Sequence, residues 1–148
     1  MKQLKTIIFG INDYAQLAHY YLTHDSIYQP VAFCVSNQTY RTTLEFMGLP
    51  VILMDDLESY PKEDYNMFAP MSPSKMNEKR QVIYQTLKLM GYKFINYTSS
   101  KATVLTENIG GNNFILENNV IQPFVKIGNN NTFWSGNHIG HHSIIGDN

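Results

Sequence analysis

The sequence predicts an α/β segment followed by an all-β one, and two patterns carry that reading. Up to residue 97, β-rich runs alternate with stretches of helical spacing. From Ile109 to Ile145 a large apolar residue returns every six positions. Strand, helix, strand in repetition implies a doubly wound, Rossmann-like parallel sheet with covering helices. A six-residue period is neither helical nor a plain alternation; it implies a short parallel β-helix, with one strand and one turn per hexad.

The elements follow in order. Lys5 to Phe9 is a β-rich run ending at Gly10. From Asp13 to His24, the residues Tyr14, Leu17, Ala18, Tyr21 and Leu22 fall on one helical face. Val31 to Val35 is a second strand, and a weaker helical stretch is expected near Arg41 to Phe46. Val51 to Met54 and Tyr65 to Pro70 supply the third and fourth strands. Ile83, Leu87 and Met90 mark a helix that Gly91 closes as a C-terminal cap, and Tyr92 to Tyr97 is the fifth strand.

Composition narrows the function classes. Lysine plus arginine number 11 against 12 acidic residues, a formal charge of −1, so no basic footprint for nucleic acid or acidic membrane exists. No apolar run is long enough for a membrane span, and the start, MKQLKTIIFGI, lacks the apolar region of a signal peptide. The single cysteine, Cys34, lies in the apolar run PVAFCVS and reads as buried packing; a cytoplasmic location is the simplest expectation.

In such a sheet, ligands bind beyond the carboxyl ends of the strands. FGINDYAQ, residues 9–16, stands where a phosphate turn would be, but with one glycine instead of the three of a dinucleotide fingerprint. In APMSPSKMN, residues 69–77, Ser72 then Pro73 read as N-cap and first helical residue. That helix start could place Ser72, Ser74 and Lys75 against an anion. The plainer reading is that Ser72 caps and Lys75 is solvated.

The hexads are IGGNNF, ILENNV, IQPFVK, IGNNNT, FWSGNH, IGHHSI and IGDN. Their first positions, Ile109, Ile115, Ile121, Ile127, Phe133, Ile139 and Ile145, are all large and apolar and are expected to stack inside the coil. The asparagines at 112, 113, 118, 119 and 129–131 suit the turns, because asparagine tolerates left-handed backbone.

With glycine second in IGGNNF, IGNNNT, IGHHSI and IGDN, the hexads resemble the hexapeptide-repeat acyltransferases, whose domain is a left-handed parallel β-helix of three hexads per coil. The preceding segment resembles the N-terminal domain of one branch, the sialic-acid O-acetyltransferases and the UDP-sugar N-acetyltransferases of bacterial surface-glycan synthesis. The stretch YTSSKATV, residues 97–104, is similar to that branch's link. The handedness rests on the resemblance alone, since right-handed crossovers are the rule for parallel strands.

The resemblance implies a Rossmann-like sugar-nucleotide-binding domain over residues 1–98 and a left-handed β-helix over 99–148. It implies transfer of an acetyl group from acetyl-CoA to an amino or hydroxyl group of a UDP- or other nucleotide-linked sugar, by a homotrimer with its sites between subunits. Family members carry a general-base histidine in a segment apolar-x-His-x-x-x-apolar-Gly; IGHHSIIG, residues 139–146, matches it with His141. An imidazole suits proton removal from the attacking sugar group near neutral pH. His142 would meet the acetyl-CoA. The nucleotide sugar would lie on Gly10, Ile11, Asn12 and Asp13, with Ser72, Ser74 and Lys75, and Asn37 beyond the second strand. Gly140 stands where some members carry a carboxylate, and Pro123, one coil earlier, brings no acid. A carbonyl or another chain would then orient the imidazole.

Two other classes compete. Hexapeptide β-helices include γ-type carbonic anhydrases, which bind zinc through histidines between subunits, and His138, His141 and His142 raise that reading. A ligand histidine of that family falls six residues beyond the IGH segment, where this chain has Asp147, so no metal is expected. The other is a non-catalytic sugar-nucleotide-binding or assembly module. From Ile109 to Asn148 there are 40 residues, a little over two coils, and the last hexad, IGDN, stops four residues in. In the family, acetyl-CoA lies largely on coils after the histidine segment. The expectation is a shortened form, lacking most of that groove and inactive by itself.

Overall fold

The first strand, β1 (Leu4–Phe9), carries apolar residues on both faces, and Ile7 and Ile8 are both fully buried. Such a strand belongs at the centre of a sheet covered on two sides. The computed structural model describes residues 4–148. β1 lies between β2 (Tyr28–Val35) and β5 (Asn66–Phe68), parallel to both. β4 (Leu49–Leu53) extends the sheet beyond β2, and β6 (Lys93–Phe94) extends it beyond β5. With β3 (Glu45–Phe46) at the edge, the order is β3-β4-β2-β1-β5-β6. Strand order reverses at β1, which leaves a crevice at its carboxyl end, beside β5.

Helix α1 (Asp13–His24) starts where the Asn12 side chain accepts from the Ala15 amide at 3.2 Å, and it buries Ala15, Ala18 and Leu22. Helix α2 (Glu78–Leu89) ends as glycine spacing predicts. Gly91 sits at φ +94°, its amide donating to Lys88 O and the Tyr92 amide to Leu87 O, which closes the last turn.

Three local expectations are corrected. The stretch Arg41–Phe46 is not helical: it is a loop leading to β3, which pairs antiparallel with β4. Met47 and Gly48, at φ 51° and 77°, form the two-residue turn between them, and positive φ at both is what a tight hairpin needs. Ser72 and Pro73 do not begin a helix. The backbone turns left-handed at Lys75, Met76 and Asn77 (φ 45°, 51° and 69°), and α2 starts only at Glu78, with no side-chain cap. The expected fifth strand divides, because β7 (Tyr97–Thr98) leaves the sheet and pairs with residues 114–115.

That pairing opens a stack of coils with three flat faces. On the first, β7 meets β9 (Phe114–Ile115), which meets β12 (Thr132–Phe133). On the second, β8 (Thr103–Val104), β10 (Val120–Ile121) and β13 (His138–Ile139) align. On the third, Ile109 bridges to β11 (Lys126–Ile127), which pairs with β14 (Ile144–Ile145). All pairings are parallel; from first to second coil the partners are 17 residues apart on the first two faces and 18 on the third, and from second to third coil they are 18 apart throughout. Ile115, Ile121, Ile127 and Phe133 fill the interior, with Ile109, Ile139 and Ile145 partly buried against them.

The corners follow the same period. The fourth residue of every hexad is left-handed: Asn112, Asn118, Phe124, Asn130, Gly136, His142 and Asn148. Asparagine side chains bond coil to coil, Asn112 Nδ2 to Asn130 Oδ1 and Asn130 Nδ2 to Asn148 Oδ1, each at 2.7 Å. Second-position glycine is required where Gly110 lies over Gly128, since a Cβ there would meet the Gly128 carbonyl at 2.5 Å.

The coils and the sheet share one core. Tyr97, Phe114 and Leu116 of the coils join Ile8, Ala15, Leu22, Phe33 and Phe68 in a single buried cluster. Polar contacts frame it: Tyr21 OH donates to Glu117 at 2.7 Å, and Tyr97 OH to Asp25 at 2.7 Å. The α/β segment thus covers the first face of the coil stack and reaches the corners on either side of it.

Candidate functional site

Two groups of residues stand out, and they lie apart. The first is a cleft of about 200 Å³ at the carboxyl ends of β1 and β2. Gly10, at φ +102°, turns the chain out of β1, and its amide donates to Cys34 O at 2.8 Å. Gly10, Ile11 and Asn12 form one wall, and Ser36, Tyr40, Met71, Lys79 and Ile83 the others. Asn12 uses its Oδ1 to cap α1, so only its amide nitrogen is free toward the cleft.

Of the residues singled out by sequence, Gly10, Ile11 and Asn12 are therefore brought together at this cleft, and the others are not among its lining. Asp13 lies in the first turn of α1, where a carboxylate complements the helix dipole. Asn37 holds a turn, its Oδ1 accepting from the Thr39 amide at 3.0 Å and its carbonyl from the Tyr40 amide at 3.1 Å. Ser72, Ser74 and Lys75 lie on the segment before α2 and are absent from the cleft's walls.

Lys79 and Tyr40 were not legible as site residues. Lys79 sits in the first turn of α2, and its ammonium lies 4.8 Å from the centre of the Tyr40 ring and 3.5 Å from its hydroxyl. A cation and a ring meeting over an open cleft can receive a phosphate and a flat base. The signal for Lys79 was present in NEKR, but it depended on starting the helix at Glu78 and not at Ser72.

The second group is the histidine corner. His141 and His142 are exposed on the corner between the second and third faces of the stack. The His141 amide donates to Gln122 Oε1 at 2.8 Å, which ties this corner to the coil below. His141 Nδ1 and His142 Nδ1 are 3.0 Å apart, so one ring donates and the other accepts. His142 itself is held in left-handed backbone and packs against Phe124, ring centres 4.8 Å apart. His138 belongs to β13 and points from the second face, away from this pair's contacts. Gln122 was missed because its link to His141 follows the coil offset plus one, a diagonal no spacing argument selects.

Among the described residues, no group of three or more histidines, cysteines or carboxylates is placed to hold a metal. Burial pushes the Cys34 thiol up to about 12, with Asp56 nearby adding to it, so the sulfur is not an available nucleophile. No helix among the described residues is long and apolar enough to cross a membrane.

By sequence, no protein-family model and no curated protein matches the chain. Solved structures do. The acetyltransferase domain of PglB from Neisseria gonorrhoeae, in complex with acetyl coenzyme A, superposes with a TM-score of 0.79 at 16% identity, over 97% of this chain and 68% of that one. PerB from Caulobacter crescentus, in complex with CoA and GDP-perosamine, gives 0.67 at 15% identity, over 97% of this chain and 63% of that one. At such identities the likeness is one of fold. The protein therefore has the mixed α/β, parallel-sheet fold seen in these sugar acetyltransferases, and its 148 residues span about two thirds of their length.

Proposed function

We propose that the chain is the nucleotide-sugar and general-base portion of an acetyl-CoA-dependent sugar acetyltransferase. In this reading residues 1–98 are a Rossmann-like sugar-nucleotide domain and 99–148 a left-handed β-helix, in a cytoplasmic enzyme. The observation that carries the reading is the His141–His142 contact, on a stack of coils whose fold is shared with acetyltransferases.

His141 Nδ1–H donates to His142 Nδ1, which leaves Nε2 of His141 with its lone pair toward solvent. That nitrogen takes the proton from the amine or hydroxyl of the sugar as it attacks the thioester carbonyl of acetyl-CoA. The tetrahedral intermediate collapses with loss of the CoA thiolate, which takes up a proton, and the acetylated sugar leaves. The nucleotide lies in the cleft at Gly10–Asn12, its base against Tyr40 and its phosphates toward Lys79. The cleft opens on the α/β segment, whereas His141 stands on the corner that this segment does not reach. Assembly as a homotrimer, with the cleft of one copy facing the histidines of the next, is the simplest way to unite them.

The test is acetyl transfer to UDP-linked amino sugars by a chain that carries a complete β-helix, followed by release of the CoA thiol. His141→Asn keeps the size but not the basic nitrogen and should lower the rate by about 10²–10⁴-fold. Binding of the nucleotide should stay within twofold of the parent, on the order of 0.4 kcal/mol. A variant as fast as the parent would remove His141 from the mechanism. Nucleotide binding without any transfer would instead favour a binding or assembly module.

A further inference from the structure

We infer that His142 is a second catalytic residue, which completes a proton relay with His141 and delivers a proton to the departing CoA sulfur. This rests on the proposed acetyl transfer with His141 as base, and it adds the acid that the leaving thiolate needs.

The chemistry follows from one contact, His141 Nδ1 to His142 Nδ1 at 3.0 Å. Two neutral imidazoles share such a bond only if one carries its hydrogen on Nδ1 and the other on Nε2. With His141 as donor, its own Nε2 is bare and His142 Nε2 holds a hydrogen. The pair therefore presents one base and one acid together, on rings that are both exposed to reactants. Their planes cross at 89°. Phe124 packs on His142 with ring centres 4.8 Å apart, and Gln122 Oε1 accepts from the His141 amide at 2.8 Å. Both histidines are thus held from the coil below, so the orientation is set before any substrate arrives.

Charge gives a second reason. A lone imidazole that takes the sugar's proton becomes a cation and needs a group to stabilise it. Gly140, before the pair, and Pro123, one coil below, supply no carboxylate. A relay removes the need, because the proton that enters one ring is matched by one that leaves the other. In the step itself, the sugar amine or hydroxyl bonds to the thioester carbon and gives its proton to His141 Nε2. The Nδ1 hydrogen of His141 passes to His142 Nδ1. The Nε2 hydrogen of His142 passes to sulfur as the carbon–sulfur bond breaks and its electron pair stays on sulfur. The products are the acetylated sugar and the CoA thiol, and both rings end neutral with their tautomers exchanged. Solvent at the exposed corner resets them.

Nitrogen NMR of the chain with labelled histidine tests the pair without turnover. His141 should carry its hydrogen on Nδ1 and His142 on Nε2, and His142→Ala should shift His141 toward the Nε2–H form. For the relay, His142→Asn is the decisive variant, made in a chain that carries a complete β-helix. Its Oδ1 still accepts from His141, and asparagine already fills the same left-handed position at 112, 118 and 130, so only the proton's path is lost. Acetyl transfer should fall at least about tenfold in kcat, with KM for the nucleotide sugar unchanged. In mixtures of light and heavy water the parent's rate should curve, as for several protons in flight, and the variant's should follow a straight line. Two rings both protonated on Nε2, a straight line for the parent, or a His142→Asn variant as fast as the parent would each overturn the relay. In that last case a slow His141→Asn keeps His141 as base without the relay, whereas a fast one removes the acetyl-transfer reading itself.

Discussion

Phe124 and His142 occupy the fourth position of their hexads, where the other members of the series are asparagine or glycine. Left-handed backbone costs an ordinary side chain roughly 1–2 kcal/mol, and asparagine recovers much of that through its short polar group. The two misfits lie 18 residues apart, stack on one another, and adjoin His141. Strain held at one corner while the rest follow the rule is the pattern of a site under functional selection. Phe124→Asn should therefore raise stability by about 1 kcal/mol, seen as a higher Tm, because Phe124 is 69% exposed and loses little burial. It should also loosen the His142 ring and, on the proposed function, lower acetyl transfer. A Tm at or below the parent's would show that the corner carries no relievable strain.

Within each coil, the buried asparagines hold the turns together. Asn119 is fully buried; its Nδ2 donates to the carbonyls of Leu116, Phe133 and Trp134, and its Oδ1 accepts from the amide and side chain of Asn137. Asn119→Leu keeps the branched shape but strands the Leu116 carbonyl and the Asn137 amide, while the Phe133 and Trp134 carbonyls each keep a second donor, at about 1–3 kcal/mol for each group left unsatisfied. We expect a loss of at least about 2 kcal/mol, since two such groups fail at once. Denaturant midpoints that differ little from the parent's would mean that water replaces the side chain.

The elements also divide by how legible they were. The hexad isoleucines announced the coil interior because a stacked position must be apolar in every coil, and β1, α1 and the Gly91 cap were marked by local chemistry. The loop before α2 misled because Ser-Pro is a local helix-start signal, while the left-handed run at Lys75–Asn77 answers to the Asn77 contact with Asn148, far away in sequence. That displacement also hid Lys79. The cleft at the end of β1 was half visible for the same reason: Gly10–Asn12 follow from strand and helix ends, whereas Tyr40 is delivered by a turn. His141 and His142 were both singled out from their segment, whereas the hydrogen bond between them came only from geometry, because the corner bends left-handed at His142.

At the scale of the whole molecule, the sheet and the coils melt together or not at all. Phe114 and Leu116 lie 1% and 2% exposed in the same cluster as Ile8 and Phe68, so neither part can lose its partner without exposing core. Two carboxylates guard the rim of that joint. Hydrogen bonds from Ser100, then from Tyr97 and Ser99, hold Asp25 below its ordinary value, and Tyr21, with Ser135, does the same for Glu117. Tyr21 in turn is pushed up to about 12, chiefly by burial. A carboxyl group held low in the folded state stabilises fully above the ordinary carboxylate range, and that contribution fades as pH falls through the folded value. Acid should thus weaken the joint, and Tm should drop below about pH 4 more steeply in the parent than in Asp25→Asn combined with Glu117→Gln. At neutral pH the helical far-UV signal, which reports α1 and α2, and the fluorescence of Trp134, on the third coil, should lose structure in one coincident transition. Coils that melt well before the helices, or a double variant with the parent's acid profile, would show that the two parts are separate bodies and that this rim does not bind them.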